Sequence, residues 1–233
     1  MKEFSNRYIF IFSAVMVIAV ATLLAMAATM LQPRQQKNLE IDKKKSMLES
    51  IGIASTHETT ESLYDKYINE SYVLNLKGEK VEGVDAFNVV LKDEQKKPIE
   101  EQYLPVFKAV PDDGEKVIII PVEGKGLWGP VWGYISLRSD MNTIYGATFD
   151  HKGETPGLGA EINTTPFESM FIGKKLFEAD KFVSIGVLKG GAKDDDLHNV
   201  DAISGGTITS KGLEKMLVDC LSKYNDYLIT NRN

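Results

Sequence analysis

Asp201-Ala202-Ile203-Ser204-Gly205-Gly206-Thr207-Ile208-Thr209-Ser210 stands directly ahead of the last amphipathic pattern in the chain. Leu213, Met216, Leu217, Cys220, Leu221, Tyr224 and Leu228 then recur at helical spacing through 211–229. A glycine turn followed by hydroxyls commonly opens a helix, and Thr209 or Ser210 is the expected N-cap. A cap does not require the acid at 201, the serine at 204 or the threonine at 207. A loop that opens on a helix N-terminus favours phosphate, through free amides and the helix dipole. A threonine hydroxyl placed there is a group that a phosphate can esterify. The same periodicity puts Cys220 on the buried face, as packing rather than as a reactive thiol.

Two further glycine-rich segments lie upstream. His151-Lys152-Gly153-Glu154-Thr155-Pro156-Gly157-Leu158-Gly159-Ala160-Glu161 precedes an expected helix start at Thr165-Pro166-Phe167-Glu168. There Thr165 is the cap, Pro166 takes the first helical position and Glu168 completes a capping box. Gly157 and Gly159 let the backbone come close to a flat ligand, with Glu154 and Thr155 as polar anchors beside Leu158. An ordinary tight loop would use the same residues. The segment 124–133, Gly-Lys-Gly-Leu-Trp-Gly-Pro-Val-Trp-Gly, holds four glycines and both tryptophans and reads as a bulged hairpin around Trp128 and Gly129. Neither a P-loop nor a dinucleotide fingerprint is present.

Around these segments the texture is β. Runs rich in Val, Ile and Tyr at 103–110, 116–122, 131–137 and 143–150 predict an antiparallel sheet of consecutive hairpins, with Pro111-Asp112-Asp113-Gly114 as one turn. A strand is expected at 181–188 and a helix at 59–72, while 75–98 gives no assignment. Asp194-Asp195-Asp196 reads as a solvated loop, not a cation cage. The whole is α+β. The 233 residues carry a net charge of −6 and a pI near 5.2, which argues against a nucleic-acid binder. One cysteine excludes an internal disulfide, and His57, His151 and His198 are too scattered to suggest a metal site.

Residues 8–31 contain no charge at all. As a helix they would reach about 36 Å, enough to cross a hydrocarbon core of about 30 Å. A cleaved signal peptide is the competing reading, since Ala25-Met26-Ala27 has the small-x-small form, but its apolar region would be shorter. The expected organisation is a tail at 1–7, a membrane helix at 8–31 closed by Pro33, a juxtamembrane helical region at 32–75 and a globular domain at 76–233. Lys2 and Arg7 precede the span, and Arg34, Lys37, Lys43, Lys44 and Lys45 follow it. A naive positive-inside count would keep the acidic domain in the cytoplasm, though long domains cross largely regardless of flanking charge.

Asp-x-x-Ser-Gly-Gly-Thr resembles the acceptor motif of the FMN-binding domain family, in which the final threonine carries FMN through a phosphoester. The family usually has Ala where this chain has Gly206. Glu154-Thr155-Pro156-Gly157-Leu158-Gly159 resembles the family's second flavin-contacting loop, and Gly126-Leu127-Trp128-Gly129-Pro130 a third signature. With one N-terminal membrane helix, the order of these signatures is similar to the C subunits of Na+-translocating NADH:quinone reductases.

The resemblance implies an FMN-binding domain with a mainly antiparallel sheet and flanking helices, and covalent FMN on Thr207. It implies Asp201, Ser204, Gly205, Gly206, Ile208 and Thr209 around the attachment point, and Glu154, Thr155, Gly157, Leu158, Gly159, Trp128 and Gly129 toward the flavin. It further implies a flavin transferase as modifying enzyme and partner subunits in a membrane complex coupling NADH oxidation and quinone reduction to sodium export. The flavin domain would then sit on the periplasmic side of a bacterial inner membrane, with electron relay rather than turnover by this subunit alone. The flavoprotein subunit of an Rnf-type ferredoxin:NAD oxidoreductase shares the acceptor motif and the anchor. A membrane-anchored, non-redox binding module, whose Ser-Gly-Gly-Thr only starts a helix, is the alternative from another class.

Overall fold

The computed structural model of the chain describes residues 5–193 and 195–232. Lys2 and Glu3 of the expected tail, and Asp194 of the acidic run, lie outside the described residues. In chain order the elements are α1 (Asn6–Ser50), α2 (Thr60–Tyr67), β1 (Ile68–Leu74), β2 (Lys80–Val81), α3 (Leu91–Glu94), β3 (Leu104–Ala109), β4 (Val117–Lys125), β5 (Pro130–Leu137) and β6 (Ile144–His151). There follow α4 (Thr165–Ser169), β7 (Phe177–Glu178), β8 (Lys181–Phe182), β9 (Gly186–Leu188), β10 (Asn199–Asp201), α5 (Thr207–Leu221) and α6 (Asn225–Asn231).

The four β-branched runs form β3 to β6, and β1 and β2 extend them into a six-stranded antiparallel sheet of order β2-β1-β3-β4-β5-β6. The expected Pro111–Gly114 turn joins β3 to β4, with the Gly114 N–H donating to the Pro111 carbonyl at 3.0 Å. Successive side chains of β4 alternate between faces. Ile118, Ile120 and Val122 pack with Leu213, Met216, Leu217 and Leu221 of α5 and with Phe149, Phe167 and Phe171. Val117 and Ile119 pack on the opposite face with Phe107 and Tyr134, under Met47, Leu48 and Ile51 from the end of α1. Both faces are therefore covered, which is why these strands read as near-continuous apolar runs.

By contacts the chain divides into a unit at 1–43 and a second at 44–233. The described residues of the first are helical from Asn6 onward, with an apolar stretch long enough to cross a membrane. Pro33 does not close it. Gln35, Gln36, Lys37, Leu39 and Glu40 are strong helix formers, and the cost of one missing N–H is local, so α1 runs on to Ser50.

Other expectations also change. The helix expected at 59–72 ends at Tyr67, because Tyr72, Val73 and Leu74 pair with Val106, Pro105 and Leu104 of β3. Strand pairing overrides the helical spacing there. The sheet thus begins at Ile68, ahead of the domain start expected at residue 76. The run at 181–188 breaks into β8 and β9 at Ser184, whose φ is +61° and whose N–H, like that of Val183, donates to the Leu176 carbonyl. The pattern at 211–229 is realised as α5, a 3-10 turn at 222–224 and α6. At the start of α4 the cap position is Thr164, and no capping box forms. Glu168 instead accepts the Phe149 N–H at 2.8 Å.

Candidate functional site

The start of α5 is set by close approach. A Cβ on Gly212 would lie 2.3 Å from the Lys125 carbonyl oxygen, and one on Gly124 2.6 Å from the Met216 Cβ. The helix therefore lies against the end of β4, next to the turn that joins β4 to β5 through 126–129. In that turn the Gly126 N–H donates to the Gly129 carbonyl at 2.8 Å. Leu127 and Trp128 project into solvent, Trp128 with 69% of its surface exposed.

Glu154 joins the three glycine-rich segments. Its backbone N–H meets His151 Nδ1 at 3.2 Å, and its side chain turns inward until the residue is only 4% exposed. One carboxylate oxygen accepts the Trp128 N–H at 2.8 Å, and the other accepts the Thr209 hydroxyl at 2.6 Å. A Cβ on Gly126 would sit 2.5 Å from the first oxygen, and one on Gly159 2.7 Å from the second and 2.3 Å from Thr209 Oγ1. A Cβ at 126 or 159 would therefore press on the buried Glu154 carboxylate.

The hydroxyls at the head of α5 are sharply divided. Gly206, not a hydroxyl residue, occupies the cap position, and no side chain caps the helix. Thr209 and Ser210 are therefore not caps, contrary to expectation. Both are 1% exposed, Thr209 donating to Glu154 and Ser210 Oγ accepting the Ile203 N–H at 3.1 Å. They lie one turn too deep because the helix begins at Thr207, where the left-handed Gly205 (φ +73°) completes the turn. Thr207 is half-buried, and its hydroxyl makes no hydrogen bond among the described residues.

The other expected residues fall into two groups. Ser204, Gly205, Gly206 and Ile208 flank Thr207, and Ile208 is 59% exposed. Leu158 is 42% exposed and lies over Gly205, where a Cβ would be 2.5 Å from its Cδ2. Thr155 and Gly157 shape the approach to Leu158, the Thr155 carbonyl accepting the Leu158 N–H and Glu161 accepting the Gly157 N–H. Asp201 points elsewhere, accepting the Ala192 N–H at 2.6 Å and so bracing the 190–192 turn. The inward-facing Glu154 is likewise no surface anchor. Sequence reasoning missed His151, Gly126 and Gly212 as shaping residues. For the two glycines the signal was their residue type, but nothing in the sequence names what approaches them.

These features fit FMN. A helix of 15 residues presents an uncapped N-terminus, a free hydroxyl sits on its first residue, and Leu158, Trp128 and Ile208 expose apolar surface near the three segments that Glu154 joins. Among the described residues no group of three or more His, Cys, Asp or Glu could hold a metal ion.

The segment that holds these residues matches a known domain family. The sequence profile of the FMN-binding domain matches residues 126–222, which include all three glycine-rich segments from Gly126 onward. The C subunit of the Na+-translocating NADH-quinone reductase of Haemophilus ducreyi is 32% identical over 207 residues, covering 82% of this chain and 80% of that one. The corresponding protein of Vibrio vulnificus is 31% identical over 216 residues, covering 84% and 83%. Among solved structures, the C subunit of the Parabacteroides distasonis enzyme matches with a TM-score of 0.78 at 45% identity, over 85% of this chain and 96% of that one. NqrC of Shewanella oneidensis matches with a TM-score of 0.69 at 26% identity, over 83% and 99%. The Haemophilus protein, at 32% identity over 82% of this chain and 80% of its own length, is similar enough to show the family, and the chain belongs to the family of Na+-translocating NADH-quinone reductase C subunits.

Proposed function

We propose that this chain is the flavoprotein subunit of a Na+-translocating NADH:quinone reductase, and that Thr207 carries its FMN covalently through a phosphoester. The observation that carries the proposal is the contrast between Thr207, half-buried with a free hydroxyl, and its neighbours Thr209 and Ser210, whose hydroxyls are buried and engaged. A transferase needs access to the oxygen that it modifies. In the modification, Thr207 Oγ bonds to the flavin-side phosphorus of FAD, the pyrophosphate bond breaks, AMP leaves and the hydroxyl proton passes to the transferase's base.

When bound, FMN supplies the electron chemistry. The chain supplies position and charge. The uncapped amides of α5 and its dipole stabilise the phosphodiester anion at Thr207. Leu158 and Trp128 offer apolar surface to the ring, and the backbone around Gly157 and Gly159 offers polar groups to its edge. Tethering keeps the site occupied whatever the supply of free FMN. The apolar span of α1 docks with integral subunits, its alanines permitting close helix packing, and the flavin domain faces the periplasm.

The test is intact mass and ultraviolet in-gel fluorescence of the denatured chain made together with a flavin transferase. The expected result is a gain of one FMN less water, mapped to the peptide that contains Thr207. Thr207→Ala should lose all covalent flavin while keeping the wild-type melting profile. Fluorescence retained in that variant would move the acceptor elsewhere. Sodium-stimulated NADH:quinone activity in membranes that contain the chain separates this complex from an Rnf-type one.

A further inference from the structure

Glu154 carries an inference that rests on the flavin reading and goes past it. Its carboxylate is nearly removed from water, and no Lys, Arg or His forms an ion pair with it among the described residues. Both oxygens accept hydrogen bonds, the pattern of an ionised carboxylate. A buried charge of this kind needs compensation. Here it comes from a backbone N–H, a hydroxyl and the positive end of α5, whose third residue is Thr209. The two donors lie 26 residues before Glu154 and 55 after it, so no local turn requires the arrangement.

We infer that Glu154 is a positioning residue. Its carboxylate clasps the 126–129 turn to the first turn of α5, and it holds a negative charge at Thr209, two residues after Thr207 in the chain. The clasp sets Trp128 and Thr207 in a constant relation, because each is tied to one oxygen of the same side chain or to the helical turn bonded to it. Gly126 and Gly159 are the roof that admits the carboxylate. The charge has its own consequence: it opposes the arrival of an electron at the group tethered to Thr207, and so lowers that group's potential. A hydrogen-bonded core carboxylate that served stability alone would hold the loops without setting a potential.

The test uses the full-length chain in detergent, made with and without a flavin transferase, as wild type, Glu154→Gln and Glu154→Ala. Gln can still accept the Trp128 N–H and can donate to the Thr209 hydroxyl, so it keeps the clasp and removes the charge. Expected for Glu154→Gln are wild-type amide-exchange protection across 126–132, retained covalent flavin and a midpoint potential shifted to more positive values. Expected for Glu154→Ala are lost protection in that peptide and several-fold less flavin attachment. An unchanged potential in Glu154→Gln overturns the electrostatic role. Unchanged protection in Glu154→Ala overturns the clasp, and if that variant does not fold, Thr209→Val, which removes one donor to the same carboxylate, is read in its place with the same expected and overturning results. Absence of flavin from the wild type would sink the flavin reading, while the exchange measurement without transferase still judges the clasp.

Discussion

A carboxyl that has lost much of its water holds its proton to higher pH, and Glu168 is such a group. Burial pushes it up to about 7, Glu49 and Asp150 add to the shift, and the Phe149 N–H opposes it. Between the ordinary carboxyl value near 4.5 and 7, the folded chain keeps a proton that the unfolded chain has released. Stability from this group is therefore full at the acid end of that window, falls as pH rises through it and is level above it. Glu168→Gln keeps an acceptor for Phe149 and removes the titration. Its melting temperature should vary less between pH 5 and 7 than the wild type's and exceed it at pH 8, as thermal melts would show. The same residue marks how far single positions were legible. Glu168 three places after Thr165 has the form of a capping box, but an unmet N–H on a neighbouring strand claimed the side chain. The glycine turn ahead of α5 was legible in its residue types. The burial of Thr209 was not, since it depends on Glu154 arriving from another loop.

At the level of elements, β-branched runs located β3 to β6 to within a few residues, because strands buried on both faces leave an unbroken apolar signature. The end of α2 and the passage of α1 through Pro33 were illegible for opposite reasons. In the first, a distant strand overrode local spacing, and in the second, strong helix formers outlasted a local breaker. Gly212 gives this scale its prediction. Inside α5, alanine in place of glycine should add about 1 kcal/mol through helix propensity. The Lys125 carbonyl, however, lies 2.3 Å from where the new Cβ would be, and it belongs to a strand fixed by pairing with β5. Overpacking of that kind costs roughly 1–3 kcal/mol or more. Gly212→Ala should therefore destabilise the domain, with a lower midpoint in urea and an unchanged slope. A higher midpoint would mean that α5 slides freely on β4.

For the whole molecule, the acidic balance and the apolar span were legible at once, whereas sidedness was not, because the basic cluster after the span points the opposite way from the family reading. A reporter enzyme active only outside the cytoplasm, fused after residue 233, should be active in cells if the flavin domain is periplasmic. A reporter that fluoresces only in the cytoplasm should then stay dark. The hydrogen bond between Glu154 and Thr209 also bears on how the molecule is made. The apolar helix leaves the ribosome before the domain does, and the hydroxyl that completes the bond is added 55 residues after the carboxylate. At 5–20 residues per second, Glu154 waits roughly 3–11 s as a solvated charge before its partner exists. Emergence of the apolar helix thus precedes closure of the clasp, and Thr207, which follows Glu154 in the chain, takes its setting only after both. On the proposed attachment at Thr207, flavin loading follows the emergence of the apolar helix rather than preceding it.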